Sequence, residues 1–274
     1  MALNNAERFQ LQTSKYVNIG AFAILAFDYL LTFQSETRWV WGRKWDITRI
    51  IFTFSRYLPF MGAGMTVYAG THTSGHYRVG LEENIVHIVG IVAAEGLLVL
   101  RIYAFWQCSK KLLIGLLAYA MATLAAAASI DINPNYLVPG TTPTISSGFE
   151  ASRNGALVYA LLMTYEFVLL SLLIYKKWSY RETSNLIVNK VYQDGVLYIA
   201  SIVFITMMNV IIEAALPITY SDILEIPQIV IHSVLASRIL FNLRESDQRV
   251  HDGSLPVTMS SFHCEVGPGV DSVT

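Results

Sequence analysis

Charge is the first thing this sequence is short of. Only 14% of its 274 residues are Asp, Glu, Lys or Arg, where an ordinary soluble domain has roughly a quarter. That excludes a sizeable soluble domain. Nor is there an excess of one sign: 19 Lys and Arg against 20 Asp and Glu give a net charge of −1, so the basic patch that nucleic-acid binding rests on is missing. Cysteine is nearly absent as well. Cys108 and Cys264 both fall near segments expected on the cytoplasmic side, where thiols stay reduced, so no disulfide framework is expected. No N-x-S/T sequon occurs, which excludes N-glycosylation. The opening residues MALNN lack the Gly needed for myristoylation, and the polar start MALNNAERFQLQTSKY lacks a cleavable signal pattern. The first apolar run, beginning near Tyr16, is therefore expected to stay in the membrane.

Missing motifs exclude several chemistries. Residues 222–243 contain no lysine, which excludes a retinal Schiff base in the last apolar run. No phosphate-binding Gly-rich loop, dinucleotide fingerprint or H-E-x-x-H occurs. His87 and His232 fall at different depths in their runs, so they do not make a pair of axial haem ligands. His72 and His76 stand four apart, but with Gly75 between them and no carboxylate or thiolate nearby they read as loop histidines rather than a metal clip. No catalytic residue, metal or cofactor is expected, and an enzyme is the less favoured class.

What the chain has in quantity is apolar length: 54% hydrophobic residues and a mean hydropathy of +0.46. A bilayer span takes about 20 mostly apolar residues, and seven such runs fit, at 16–34, 47–70, 85–107, 112–130, 155–175, 195–217 and 222–243. The expected fold class is an all-α integral membrane bundle of seven helices. It divides into an outer N-terminal tail over 1–15, a membrane domain over 16–243 and a disordered cytoplasmic tail over 244–274. The Pro-, Gly-, Ser- and Thr-rich stretch 131–154 reads as a surface loop. Orientation follows from the basic residues: eleven Lys and Arg fall in connections 35–46, 108–111, 176–194 and the tail, against Arg8, Lys15, Arg78 and Arg153 on the other side. This places the N-terminus outside and the C-terminus in the cytosol. Trp39, Trp41, Trp45, Trp106 and Trp178 sit at the cytoplasmic ends, as an interfacial aromatic belt would.

The stretch FDYLLTFQSETRWVWGRKWDITRIIFTFSRYLP at 27–59, with LRIYAFW at 100–106, VYQDGVLYI at 191–199 and SRILFNLR at 237–244, resembles a family of basidiomycete fungal multi-span membrane proteins. That family carries an N-terminal domain of unknown function, here about 16–60. The resemblance implies a seven-helix membrane protein with a short charged first cytoplasmic loop, and it implies no activity. Two positions depart from the pattern. Tyr29 stands where relatives commonly have His, and the outer loops 71–84 and 131–154 carry no cysteine.

Ionisable residues inside the runs mark candidate sites, because they are costly in hydrocarbon. Counting about 1.5 Å per residue, Asp28, Arg56, Arg101 and Arg238 share an inner layer roughly 8–10 Å from the cytoplasmic edge of a hydrocarbon core about 30 Å thick. There they either snorkel or pair, with Asp28 and Arg56 the expected pair. Glu95, Glu166 and His232 fall near the midplane, with Asn209 a little further out, and form the candidate ligand or ion site. Glu213, Asp222 and Glu225 are expected at the outer surface, solvated. Cys108 stands beside the membrane as a palmitoylation candidate. Span four carries Ala118, Ala122 and Ala126 in a small-xxx-small pattern suited to close helix packing.

The leading functional reading is a receptor-like sensor, with a small-molecule ligand, a cytosolic signalling partner and the lipid bilayer as its surroundings. It rests on topology, since the usual heptahelical signatures after spans three and seven are missing. The alternatives are a transporter using the midplane acids and a membrane scaffold. Plasma membrane and endomembrane are not distinguished.

Overall fold

The computed structural model describes residues 5–41, 46–72, 81–132, 147–179, 186–215 and 223–251. Among these it is all-helical, with seven helices: α1 (Asn5–Trp39), α2 (Ile47–His72), α3 (Leu81–Phe105), α4 (Lys110–Ile132), α5 (Ser147–Ser179), α6 (Leu186–Ala215) and α7 (Glu225–His251). Five contain stretches long and apolar enough to cross a bilayer: Gln12–Trp39, Ile85–Phe105, Lys110–Ile130, Asn154–Trp178 and Gln193–Ala215. The chain is a polytopic membrane protein. The two helices that fall short, α2 and α7, are long enough at about 1.5 Å per residue, but they carry Arg49, Arg56, Glu225, His232 and Arg238 within their length.

Several helices outrun the expected runs. The tail from Arg244 was expected to be disordered, yet α7 continues to His251. The physical reason is local: LRESDQRVH contains good helix formers, and the first breaker is Gly253. The rest of the tail lies outside the described residues, as do Asp222, Trp45, His76 and most of the 131–154 loop. Helix α2 starts at an Asp cap, with the Ile47 N–H donating to Asp46 Oδ1 at 2.8 Å. Between α3 and α4 the chain turns through Gln107 and Cys108, with φ of 52° and 59°. Cys108, expected as a reduced thiol and a lipidation candidate, is disulfide-bonded, so its sulfur is not open to a lipid chain. Its position beside basic segments expected on the cytoplasmic side gave no signal for that.

Helix α7 is the centre of the bundle. It packs against α1, α2, α3 and α6, while α4 packs on α5 and α3 at the edge. The burial pattern explains this arrangement. In α7, Ile226, Gln228, Ile229, Val230, His232, Ser233, Ala236, Ser237, Ile239 and Phe241 are all buried, a set that covers all but the side carrying Ile231, Leu235 and Arg238. In α1 only one stripe turns inward (Asn18, Ala21, Leu25, Asp28, Glu36), and Ile24, Phe27, Leu30 and Leu31 are exposed. An apolar exposed face of that extent is what lipid contact requires. Neighbouring helices run antiparallel: Gly155 near the start of α5 meets Glu213 near the end of α6. The main core cluster joins α3, α5 and α6 through Leu98, Ile102, Leu169, Leu173, Ile199 and Ile202.

The tightest approach of α2 and α3 is at Gly62. A Cβ at Gly62 would lie 2.5 Å from Cδ2 of His87, and that ring is itself held by Glu225 of α7, with Nδ1 2.7 Å from Oε1. Gly62→Ala should therefore destabilise the bundle by about 1–3 kcal/mol, the usual cost of overpacking, read as a lower melting temperature in detergent. Gly20, with nothing within 4 Å of its added Cβ, is the control position and should tolerate alanine without loss.

Candidate functional site

Two polar layers occupy the bundle interior, and α7 contributes to both. The first is built around Asp28 of α1. Helical periodicity turns Asp28 to the same face as Leu25 and Glu36, toward α2 and α7. Its Oδ2 accepts from Arg56 Nη1 at 2.8 Å, and its Oδ1 accepts from Arg238 Nε at 2.7 Å. Arg56 is 0% exposed. Its other nitrogens face Thr32 Oγ1 and, at 3.6 Å from Nε, Glu36 Oε2, and its guanidinium lies 5.4 Å from the centre of the Tyr29 ring. Glu36 in turn accepts from the Tyr57 hydroxyl and from Trp41 Nε1 at 3.1 Å. Two carboxylates and two guanidiniums thus tie α1, α2 and α7 together with balanced charge. Arg238 keeps 44% of its side chain exposed. Arg101, placed by sequence in the same layer, turns elsewhere: it packs under Gly195 of α6, where an added Cβ would sit 2.5 Å from Nη2, and over the Phe105 ring at 5.2 Å.

The second layer lies six residues away along α7, about 9 Å at the helical rise. Here the structure brings together Glu95, Glu166 and His232 from α3, α5 and α7, 7%, 0% and 1% exposed. The imidazole stands between the carboxylates, with Nδ1 3.4 Å from Glu95 Oε1 and Nε2 3.5 Å from Glu166 Oε1. Neither contact has hydrogen-bond geometry, and among the described residues no group hydrogen-bonds either Glu95 oxygen, Glu166 Oε2 or either ring nitrogen. One donor atom from each residue falls within 4.8 Å of the others, so by type and spacing this trio could hold a metal ion. A single ion would use one of the two imidazole nitrogens.

Asn209 is not in that trio but is wired to it. Its Nδ2 donates to Gln228 Oε1, Gln228 Nε2 donates to Thr206 Oγ1 at 3.3 Å, and the Thr206 hydroxyl donates to Glu166 Oε1 at 2.7 Å. Gln228 and Thr206 were not singled out from the sequence. Gln228 lies four residues before His232, on the same face of α7, which is the signal that could have found it. Thr206 offered none beyond its place one turn before Asn209. The expectation of solvated outer acids needs correction. Glu213 is 7% exposed, against Gly155, and the Glu225 side chain is 20% exposed, on His87, because partners from neighbouring helices cover them.

A cavity of about 850 Å³ lies along α2, α3 and α4, with Tyr165 of α5 in its wall, and Glu95 lines it. Otherwise the wall is almost all apolar, with Asp46 and Lys110 at one end. Ile47, Phe54, Ile114, Leu117 and Met121 on its rim are 51–66% exposed, so the cavity opens on the lipid-facing side.

Residues 16–61 match the model of a family of unknown function, DUF6533. That segment contains Asp28, Thr32, Glu36, Arg56 and Tyr57, most of the first polar layer. No curated protein matches the chain, and no solved structure does either.

Removing one partner of a buried ion pair costs more than removing a partner exposed to water. Arg56→Gln should destabilise the protein by about 3–5 kcal/mol, since it leaves Asp28 and Glu36 short of a cation. Arg238→Gln, at a half-exposed side chain, should cost under about 1 kcal/mol. Denaturation of the purified protein in mixed micelles measures both, and equal losses would contradict this division.

Proposed function

We propose that this is a seven-span, receptor-like sensor in which occupancy of the Glu95–Glu166–His232 layer is coupled through α7 to the Asp28–Arg56–Arg238 layer. The observation that carries the reading is that α7 bears His232 and Arg238 six residues apart, one in each layer. A packed helix moves as a unit, so a displacement at His232 reaches Arg238. The supporting circumstances are the central position of α7 and the half-exposed Arg238, which a cytosolic partner can reach. Helices α2 and α7 cross the membrane although their composition falls short of a typical span, because Arg56, His232 and Arg238 face carboxylates of neighbouring helices rather than lipid. The N-terminus is outside and the C-terminus cytosolic, so the Asp28 layer lies on the cytosolic side.

A transporter would use the same midplane carboxylates. The coupled second layer favours sensing, since a transport site alone does not call for an ion network on the same helix.

Two measurements test the proposal. An epitope inserted after His76 should be accessible on intact cells if α2 crosses the membrane. Accessibility only after permeabilisation would reduce the span count. Spin labels at Thr37 and Glu245 report the α1–α7 separation at the inner end. Glu166→Gln, far from both labels, should shift that distance distribution in the same direction as Asp28→Asn. A response to Asp28→Asn alone would remove the coupling.

A further inference from the structure

We propose that the Glu95–Glu166–His232 layer binds one divalent transition-metal ion of the zinc type, with a carboxylate from α3, a carboxylate from α5 and one imidazole nitrogen from α7 as its ligands. Sequence alone predicts no metal here. The ion is the occupant of the layer invoked above: its effect on α7 rests on the sensor reading, whereas the binding itself does not.

Three observations select an ion. The buried atoms without a hydrogen-bond partner among the described residues are the ones a metal takes: both Glu95 oxygens, Glu166 Oε2 and both ring nitrogens of His232. The three residues are buried, and no described Lys or Arg pairs with either carboxylate. The distances agree. At 3.4 and 3.5 Å, the nitrogen–oxygen contacts exceed the roughly 2.7–2.9 Å of a charge-assisted N–H···O bond. Two ligands each about 2.1 Å from a tetrahedral ion stand about 3.4 Å apart, so either contact can form one edge of the coordination shell. The third donor lies within 4.8 Å of the others, a gap that side-chain rotation closes. The ring nitrogen left over keeps a carboxylate as its acceptor, the usual arrangement for a metal-bound His. The charges agree as well. Two carboxylates and a neutral imidazole carry two negative charges, and a divalent ion cancels both where an uncompensated charge is costly. Protons can balance the same charge, and a binding measurement separates the two occupants.

Donor type sets the class of ion. An imidazole ligand argues against Mg²⁺ and Ca²⁺, which prefer shells of six or more oxygens. The trio has no thiolate, which argues against Cu(I). Two carboxylates and an imidazole suit Zn²⁺ and its neighbours, with a fourth position open to water. Glu166 also has the support expected of a ligand. Its Oε1 accepts from the Thr206 hydroxyl at 2.7 Å, and Thr206 is tied through Gln228 to Asn209, which leaves Oε2 for the ion. The same residues mark a polar approach. Helix α6 carries Thr206, Asn209 and Glu213, and α7 carries Glu225, Gln228 and His232, each set at the i, i+3, i+7 spacing of one helix face. An ion entering from the Glu213–Glu225 end meets polar side chains on both helices.

The test uses the full-length protein in lipid nanodiscs, stripped with a chelator and titrated with Co²⁺ under visible absorption, then with Zn²⁺. One equivalent of Co²⁺ should give the intense absorption of a four- or five-coordinate site, without a thiolate charge-transfer band. One equivalent of Zn²⁺ should displace it, and a large excess of Mg²⁺ should not. Glu166→Gln and His232→Ala each remove a ligand and should abolish the signal. Thr206→Val leaves all three ligands in place and should weaken Zn²⁺ about 10–100-fold; it serves as the second variant if the ligand variants do not fold. Only weakly absorbing, octahedral Co²⁺ in the unaltered protein overturns the inference. So does an intense signal that survives Glu166→Gln or His232→Ala, or undiminished affinity in Thr206→Val. Zn²⁺ binding that leaves the Thr37–Glu245 distance unchanged keeps the ion site and retires the sensor reading. A protein that takes up no ion, yet in which Glu166→Gln and Asp28→Asn shift that distance together, retires the ion and keeps the sensor reading.

Discussion

A carboxylate or guanidinium placed in hydrocarbon costs at least a few kcal/mol unless another group in the protein answers it. Among the described residues seven such side chains are buried, those of Asp28, Glu36, Arg56, Glu95, Arg101, Glu166 and Glu213, together with the imidazoles of His87 and His232. Each one fixes the rotation of its helix, because the polar face has to turn inward and the opposite face must then be apolar enough for lipid. In α1 the consequence is visible directly. Asp28 and Glu36 are buried, and Phe27, Leu30 and Leu31 beside them are 58–73% exposed. The small residues follow from the same constraint. Gly62 admits the His87 ring and Gly195 admits the Arg101 guanidinium, so glycines stand where polar side chains need room between helices.

The two interior layers differ in how completely they are satisfied. Around Asp28 every charge has a partner of opposite sign, supported by hydroxyls of Thr32 and Tyr57 and the indole of Trp41. That layer resembles a structural clamp with one loose end, Arg238. Around His232, the amide and hydroxyl chain from Asn209 to Glu166 is hydrogen-bonded, and the chain stops there: Glu95 and both ring nitrogens accept and donate nothing among the described residues. Buried polar networks left half-satisfied are costly. Such a cost is sensible where an occupant completes the network.

Much of this was legible in one dimension. Apolar runs gave the helices, since hydrocarbon thickness sets their length, and counting along each run put Glu95, Glu166 and His232 at one depth and Asp28, Arg56 and Arg238 at another. Depth is additive along a helix and needs no knowledge of its neighbours. Rotation and adjacency are not. Arg101 shared the depth of Asp28, yet it faces α6. Arg238 is the last in sequence of the inner charges, yet it shares Asp28 with Arg56 because α7 returns to lie against α1. Gln228 and Thr206 were passed over because uncharged residues carry no strong cost signal, although both link Asn209 to Glu166. Glu213 and Glu225 were misplaced for the converse reason: proximity to a predicted end suggested water, and neighbouring helices cover them instead.

The same reasoning bears on α2 and α7, whose composition falls short of a typical span. A window average treats every residue as if it faced lipid, whereas α7 is covered on all but the side carrying Ile231, Leu235 and Arg238, and α2 turns Arg56 and Tyr57 to Asp28 and Glu36 of α1. A central helix can be less apolar than a peripheral one because its surroundings are other helices. Helix α4, at the edge, shows the opposite balance: its wall residues Ile114, Leu117 and Met121 are exposed, and it touches only α3 and α5 closely. An apolar helix held by few neighbours is the one that can stand away from the bundle, and the cavity lies on its inner side.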